Sequence, residues 1–193
     1  MNLQRWIIVG LWLLFVAYWA VAAVGAKRSA RRRRWGREIA LRLVVILLVA
    51  VVLQSRSLRL FLAQTQRSAS HSVLLGWTGA ALCLLGFGLA IYARWHLGRN
   101  WGMPMSRKEQ PELVTSGPYA LIRHPIYTGL ILAMLGSAIG ISVLYALLLV
   151  VVGAYFIYSA RREEAVMLQL FPKQYAAYMA RTGMLTPLLF RRH

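Results

Sequence analysis

Ile126 to Ser159 reads IYTGLILAMLGSAIGISVLYALLLVVVGAYFIYS, 34 residues without a single charge. A bilayer core about 30 Å thick takes about 20 helical residues, so the run is too long for one crossing and slightly short for two. Gly136, Ser137, Gly140 and Ser142 mark a turn near its middle. The run therefore predicts a tight helical hairpin whose arms need not each cross the full bilayer. Polar groups meet at its mouth from two directions. Leu113 to Gly129, LVTSGPYALIRHPIYTG, leads in and carries Arg123-His124-Pro125, and the pair Glu163-Glu164 follows just beyond. The chain has only five acidic residues and no aspartate, so this pair is a large share of its negative charge. Charges held at a membrane surface are costly, which makes the constellation a candidate functional site.

Three further apolar segments precede the hairpin. Trp6 to Ala26 is 21 residues with no charge and predicts a first span, with Trp6, Trp12, Tyr18 and Trp19 as lipid or interface anchors. Ile39 to Leu53 predicts a short second span, in which Arg42 and the preceding Glu38 snorkel to the headgroups. Ser72 to Ala93 predicts a third. Its Gly76, Gly79, Gly86 and Gly88 suit close helix packing. The expected fold is an all-α integral membrane protein of about five transmembrane helices, including the C-terminal hairpin. A polar loop and an amphipathic C-terminal helix complete it. Residues 1–93 form the expected N-terminal membrane part. Residues 94–193 form the expected core of loop, hairpin and final helix.

The loop, Arg94 to Arg123, holds Pro104, Pro111 and Pro118, which exclude one continuous helix. A long irregular loop in a compact protein is usually functional. After the hairpin, Val166, Leu170, Tyr175, Tyr178 and Met179 recur at roughly helical spacing, interrupted at Pro172.

The net charge of +18 comes from 23 Lys and Arg. These fall in short clusters beside apolar runs, such as the seven basic residues in eleven from Lys27 to Arg37. That pattern fits membrane anchoring and contact with anionic lipid rather than nucleic acid. With five crossings, most positive charge lies on one side, so the N-terminus is expected outside and the C-terminus in the cytoplasm of a multi-pass cell-membrane protein. Cys83 is the single cysteine, so neither an internal disulfide nor a zinc cluster of cysteines is available. The first apolar run is too long for the core of a cleaved leader and is expected to be retained.

Residue chemistry limits what the constellation can do. Arg123 carries a planar fork suited to a carboxylate or phosphate. His124 can donate or accept near neutral pH and falls at the N-cap of a helix that begins with Pro125. Adjacent helical side chains diverge by about 100°, so at most one of Glu163 and Glu164 reaches a given ligand atom.

The string resembles the isoprenylcysteine carboxyl methyltransferase family, in its bacterial and archaeal form, which is related to the phospholipid methyltransferases. The matching residues are Leu113-Val114-Thr115, Gly117-Pro118-Tyr119, Arg123-His124-Pro125, Tyr127 and Gly129. Glu163-Glu164, Leu168, Phe171, Tyr175 and Tyr178 continue the match, and Leu97-Gly98 with Trp101 looks like its lead-in. The resemblance covers about Leu97 to Pro187. It implies methyl transfer from S-adenosylmethionine to a lipophilic acceptor, a prenylcysteine-like carboxylate or a lipid, by direct in-line displacement. Carried over, Val114, Gly117, Tyr119, His124, Pro125, Tyr127 and one glutamate of the pair, assigned as Glu163, would hold the cofactor. Arg123 and the other glutamate, assigned as Glu164, would line the reacting centre, with no metal; which glutamate takes which role stays open. The acceptor stays open: eukaryotic members often carry a His shortly before Leu-Val-Thr, where this chain has Gln110-Pro111-Glu112.

Two other functions compete. A sterol-reductase-type membrane enzyme would use NADPH, but Gly-Pro-Tyr with Arg-His-Pro fits the methyltransferases better. A non-catalytic protein that binds anionic lipid explains the basic clusters and leaves the Glu pair without a role.

Overall fold

The computed structural model describes residues 2–24, 60, 72–98, 113–142 and 144–188. Within them the chain is helical, with one isolated parallel bridge between Ile122 and Gly183 in place of any sheet. Helix α1 spans Leu3–Val24 and α2 spans Val73–Leu97. A 3-10 turn at Gly117–Ala120 precedes α3 (Pro125–Gly140), α4 (Leu144–Leu170) and α5 (Pro172–Arg181). Helices α1, α2 and α4 are long and apolar enough to cross a membrane. The expected second span, 39–53, lies outside the described residues.

Helix boundaries follow local chemistry. Ser72 caps α2 by accepting a hydrogen bond from the Leu75 N–H at 3.3 Å. The α2 helix ends at Gly98, whose φ of 52° suits glycine. Pro125 and Pro172 occupy the first positions of α3 and α5, where a missing N–H costs nothing. The hairpin turn falls where the glycine and serine cluster predicts it: α3 closes at Gly140 and α4 opens at Leu144. At 16 residues α3 rises only about 24 Å, less than the bilayer core, so this arm is the shorter one. The α4 helix differs from expectation in running unbroken past Ser159 and through the Glu pair to Leu170.

The core lies between α1, α2 and α3. Buried positions on α2 recur as Gly79-Ala80, Cys83, Gly86-Phe87, Ala90 and Ala93-Arg94, one stripe along one face. The α2–α3 contact is close because it is built on glycine. A Cβ at Gly79 would stand 2.5 Å from the Gly136 carbonyl oxygen, and one at Gly136 would meet the Gly79 oxygen at the same distance. Gly76 instead faces Gln4 of α1, and Gly88 faces open space among the described residues. Phe15, Phe87 and Trp12 pack their rings on one another. The Trp12 indole N–H donates to Ser137 Oγ at 2.9 Å, which satisfies both groups in an apolar interior. The matching close approach of Gly86 and Gly129 sets the first turns of α3, at the mouth of the hairpin, against α2.

Candidate functional site

The Arg-His-Pro segment is held by a strap of chain that follows α5. The backbone N–H groups of Arg123 and His124 donate to the carbonyls of Gly183 and Met184 at 2.8 and 3.1 Å, and the Gly183 N–H donates back to Leu121 at 3.2 Å. Thr128 Oγ1 donates to the Leu185 carbonyl at 2.6 Å, extending the contact one turn into α3. Residues far apart in sequence thus fix the backbone from which Arg123 and His124 project.

The side chains meet the Glu pair on α4. Arg123 Nε donates to Glu164 Oε1 at 2.7 Å, and its Nη1 donates to the carbonyls of Met179, at 3.3 Å, and Thr182. Both side chains of this pair are nearly enclosed, at 9% and 8% exposure. An ion pair so placed is held by further hydrogen bonds rather than by charge alone. His124 does not cap α3 with its side chain; its ring turns to the glutamates. Nε2 lies 3.2 Å from Glu164 Oε1 and Nδ1 lies 3.7 Å from Glu163 Oε2. Glu163 stands about 100° around α4 from its neighbour and so reaches a different set of partners. It accepts from Tyr127 Oη at 2.5 Å and from Ser159 Oγ, one turn earlier, at 3.3 Å. Its side chain stays 27% exposed, so it is the more open carboxylate of the two.

Three rings line this corner. His124 stacks on Tyr127 with centroids 5.5 Å apart, and Tyr127 stacks on Phe156 at 4.6 Å. Behind Arg123, Tyr178 of α5 donates its hydroxyl to the Tyr119 carbonyl at 2.5 Å, tying the Gly-Pro-Tyr turn to α5. Burial raises the Tyr119 and Tyr175 phenols well above the ordinary value and pushes Tyr178 up to about 12. All three stay protonated at neutral pH.

Of the residues singled out in the sequence, Arg123, His124, Tyr127, Glu163 and Glu164 form one connected network, with Pro125 buried beneath it. The Tyr119 backbone is tied to α5 by Tyr178, and the end of α5 in turn accepts from Arg123. Val114 is half-buried in the extended stretch ahead of the turn, and neither it nor Gly117 hydrogen-bonds the network among the described residues. Sequence reasoning missed Thr128, Ser159 and Thr182. Ser159 carried a signal, since it stands four residues before Glu163 on a continuous helix. Thr182 carried none.

A helical membrane protein with paired carboxylates and an Arg-His-Pro turn at the hairpin mouth defines a narrow class. The phospholipid methyltransferase family matches residues 74–174, just over half of the 193-residue chain, and the protein belongs to that family. The resemblance to the isoprenylcysteine carboxyl methyltransferases and their phospholipid relatives is thereby borne out. The match covers α2, the Gly-Pro-Tyr turn, both hairpin arms and the Glu pair. The chain is also similar to the cobalt-zinc-cadmium resistance protein CzcN of Cupriavidus metallidurans, with 32% identity over 117 residues. That match covers 58% of this chain and 52% of CzcN, so the chain spans about half the length of the curated relative it matches.

Proposed function

We propose that the protein is a membrane-embedded methyltransferase that moves a methyl group from S-adenosylmethionine to a lipophilic acceptor, a prenylcysteine-like carboxylate or a lipid. One observation carries the reading: the Arg123-Glu164-His124-Glu163-Tyr127 network, assembled from two segments far apart in the chain at the end of the hairpin.

The residues present fit that cofactor. When bound, it supplies a methyl group on a cationic sulfonium, open to direct in-line displacement. A partly exposed carboxylate beside aromatic faces favours a cation and can accept from ribose hydroxyls. Glu163, with Tyr127 and His124 beside it, has that character, and the turn from Val114 through Gly117 to Tyr119 forms the adjoining wall. Arg123 and Glu164 border the reacting centre. Their mutual grip makes them positioning residues, which hold the Arg-His-Pro backbone and the ring of His124 in place. Alignment of this kind can supply much of the rate enhancement of a one-step transfer. An amine acceptor must lose a proton, and a glutamate of the pair or His124 is the candidate base.

The assignment extends to the whole chain. Residues 94–193, hairpin included, are the methyltransferase core and 1–93 the N-terminal transmembrane helices, with the N-terminus outside and the cofactor site facing the cytoplasm of the cell membrane. Purified protein given methyl-labelled S-adenosylmethionine and a membrane-lipid extract should release a labelled lipophilic product. Absence of label, with NADPH rather than S-adenosylmethionine raising the thermal midpoint, would assign the site to a reductase.

A further inference from the structure

The last turn of α2 carries a histidine that the network above does not use. His96 Nε2 lies 2.9 Å from Ser116 Oγ, across twenty residues of chain. Its ring also lies flush against Gly117. A Cβ built there would stand 2.7 Å from both Cε1 and Nε2 and 2.8 Å from Cδ2. Gly117 has φ of 58°, in the left-handed region, so glycine is favoured twice: by its backbone angle and by the imidazole filling the space of a side chain. Tyr92, one turn back on α2, sets its ring 5.9 Å from the imidazole.

The post that carries His96 is itself pinned. Arg94 is buried, and its Nη1 donates to the Gly98 carbonyl at 2.8 Å, closing the end of its own helix. Its Nη2 donates to the Ala22 carbonyl of α1 at 2.7 Å. A chain of contacts then runs from α1 through Arg94 to the end of α2, and from His96 to Ser116 and Gly117. One step further, the Tyr119 carbonyl receives the Tyr178 hydroxyl of α5. The Ser116–Ala120 turn is thus clamped from both sides, by α2 and by α5.

We propose that His96 is a positioning residue for the cofactor: it fixes the Ser116-Gly117 backbone, and through it the wall that the cofactor contacts. This rests on the methyltransferase reading. It gives the end of α2 a part in binding beyond spanning the membrane. Two features of the imidazole do the work, its flat face on Gly117 and its hydrogen bond to Ser116. Removing either loosens the turn without touching the charged network.

The test is calorimetric titration of S-adenosylhomocysteine into the full-length, detergent-solubilised protein, beside the ligand-free thermal midpoint. His96→Ala should weaken affinity about five- to twentyfold. Ser116→Ala, a small change at an exposed position that avoids gross misfolding, should weaken it about three- to tenfold. The double variant should be no weaker than His96→Ala alone, because both remove one contact. The ligand-free midpoint of Ser116→Ala should stay at the wild-type value. Wild-type affinity in Ser116→Ala and His96→Ala, or a fall in midpoint with affinity unchanged, would overturn the proposal and make His96 merely structural. A wild-type protein that binds no S-adenosylhomocysteine would overturn the methyltransferase reading itself. That outcome is distinct, since it appears before any variant is compared.

Discussion

At the scale of single residues, Arg123 is the most committed side chain of the site. Its fork is spent on Glu164 and on two carbonyls at the end of α5. Removing one member of a buried, hydrogen-bonded pair strands the other, at a cost of about 3–5 kcal/mol. Glu164→Ala should therefore lower the thermal midpoint sharply, whereas Glu163→Gln, at the more exposed carboxylate, should lower it little. Arg123→Lys keeps the charge but loses the planar fork. It should cut turnover by more than it weakens cofactor binding, measured as methyl-transfer rate beside calorimetric affinity. Equal losses in the two would put the guanidinium on the cofactor instead. The identity of these residues was legible in the sequence, because Arg-His-Pro and Glu-Glu are rare in so apolar a chain. Their division of labour was not. Which glutamate faces Arg123 depends on the rotation of α4 about its axis, and no local pattern encodes that rotation.

At the scale of elements, α5 and the strap behind it are the surprise. Periodicity announced an amphipathic helix, and its buried tyrosines, Tyr175 and Tyr178, fall at the expected spacing. Pairing of Gly183 and Met184 with Arg123 and His124 was invisible, since a two-residue parallel contact leaves no alternation to read. The continuity of α4 beyond Ser159 was also missed: charges at Arg161 to Glu164 look like the end of a span, yet every one of them suits a helix. Docking of α5 has a pH signature. The Tyr178 phenol rises from an ordinary 10.0 to about 12 on burial, so folding favours its protonated form. That stabilisation is complete below pH 10 and is lost as pH rises through 12. The thermal midpoint should hold steady up to about pH 10 and then fall. Tyr178→Phe should start lower, by about 0.5–1.5 kcal/mol for the lost hydrogen bond to Tyr119, and fall less steeply. Some slope should remain, because Tyr119 and Tyr175 shift in the same direction. An identical alkaline slope in Tyr178→Phe would mean that this phenol is not protected.

For the whole molecule, the sequence conveyed an all-helical membrane protein and the place of its hairpin, because apolar length and turn residues report both directly. Tertiary packing of α2 on α3 was legible only as a glycine stripe. Two of the four glycines on α2, Gly79 and Gly86, meet α3, and the sequence alone does not separate them from Gly76 and Gly88. The proposed orientation rests on the charge clusters: reporter fusions at Met1 and His193 should read outside and cytoplasmic. A cytoplasmic reading at both ends would mean an even number of crossings. Whether the mouth of the hairpin binds the methyl donor and its demethylated product is decided by one titration. S-adenosylhomocysteine is measured against wild type, His124→Ala and Glu163→Gln in turn. Saturable binding by wild type, weakened about ten- to hundredfold in at least one of the two variants, is the expected result for a lost charge-assisted contact. Unchanged affinity in both variants would contradict the account and move the cofactor away from the Arg-His-Pro turn.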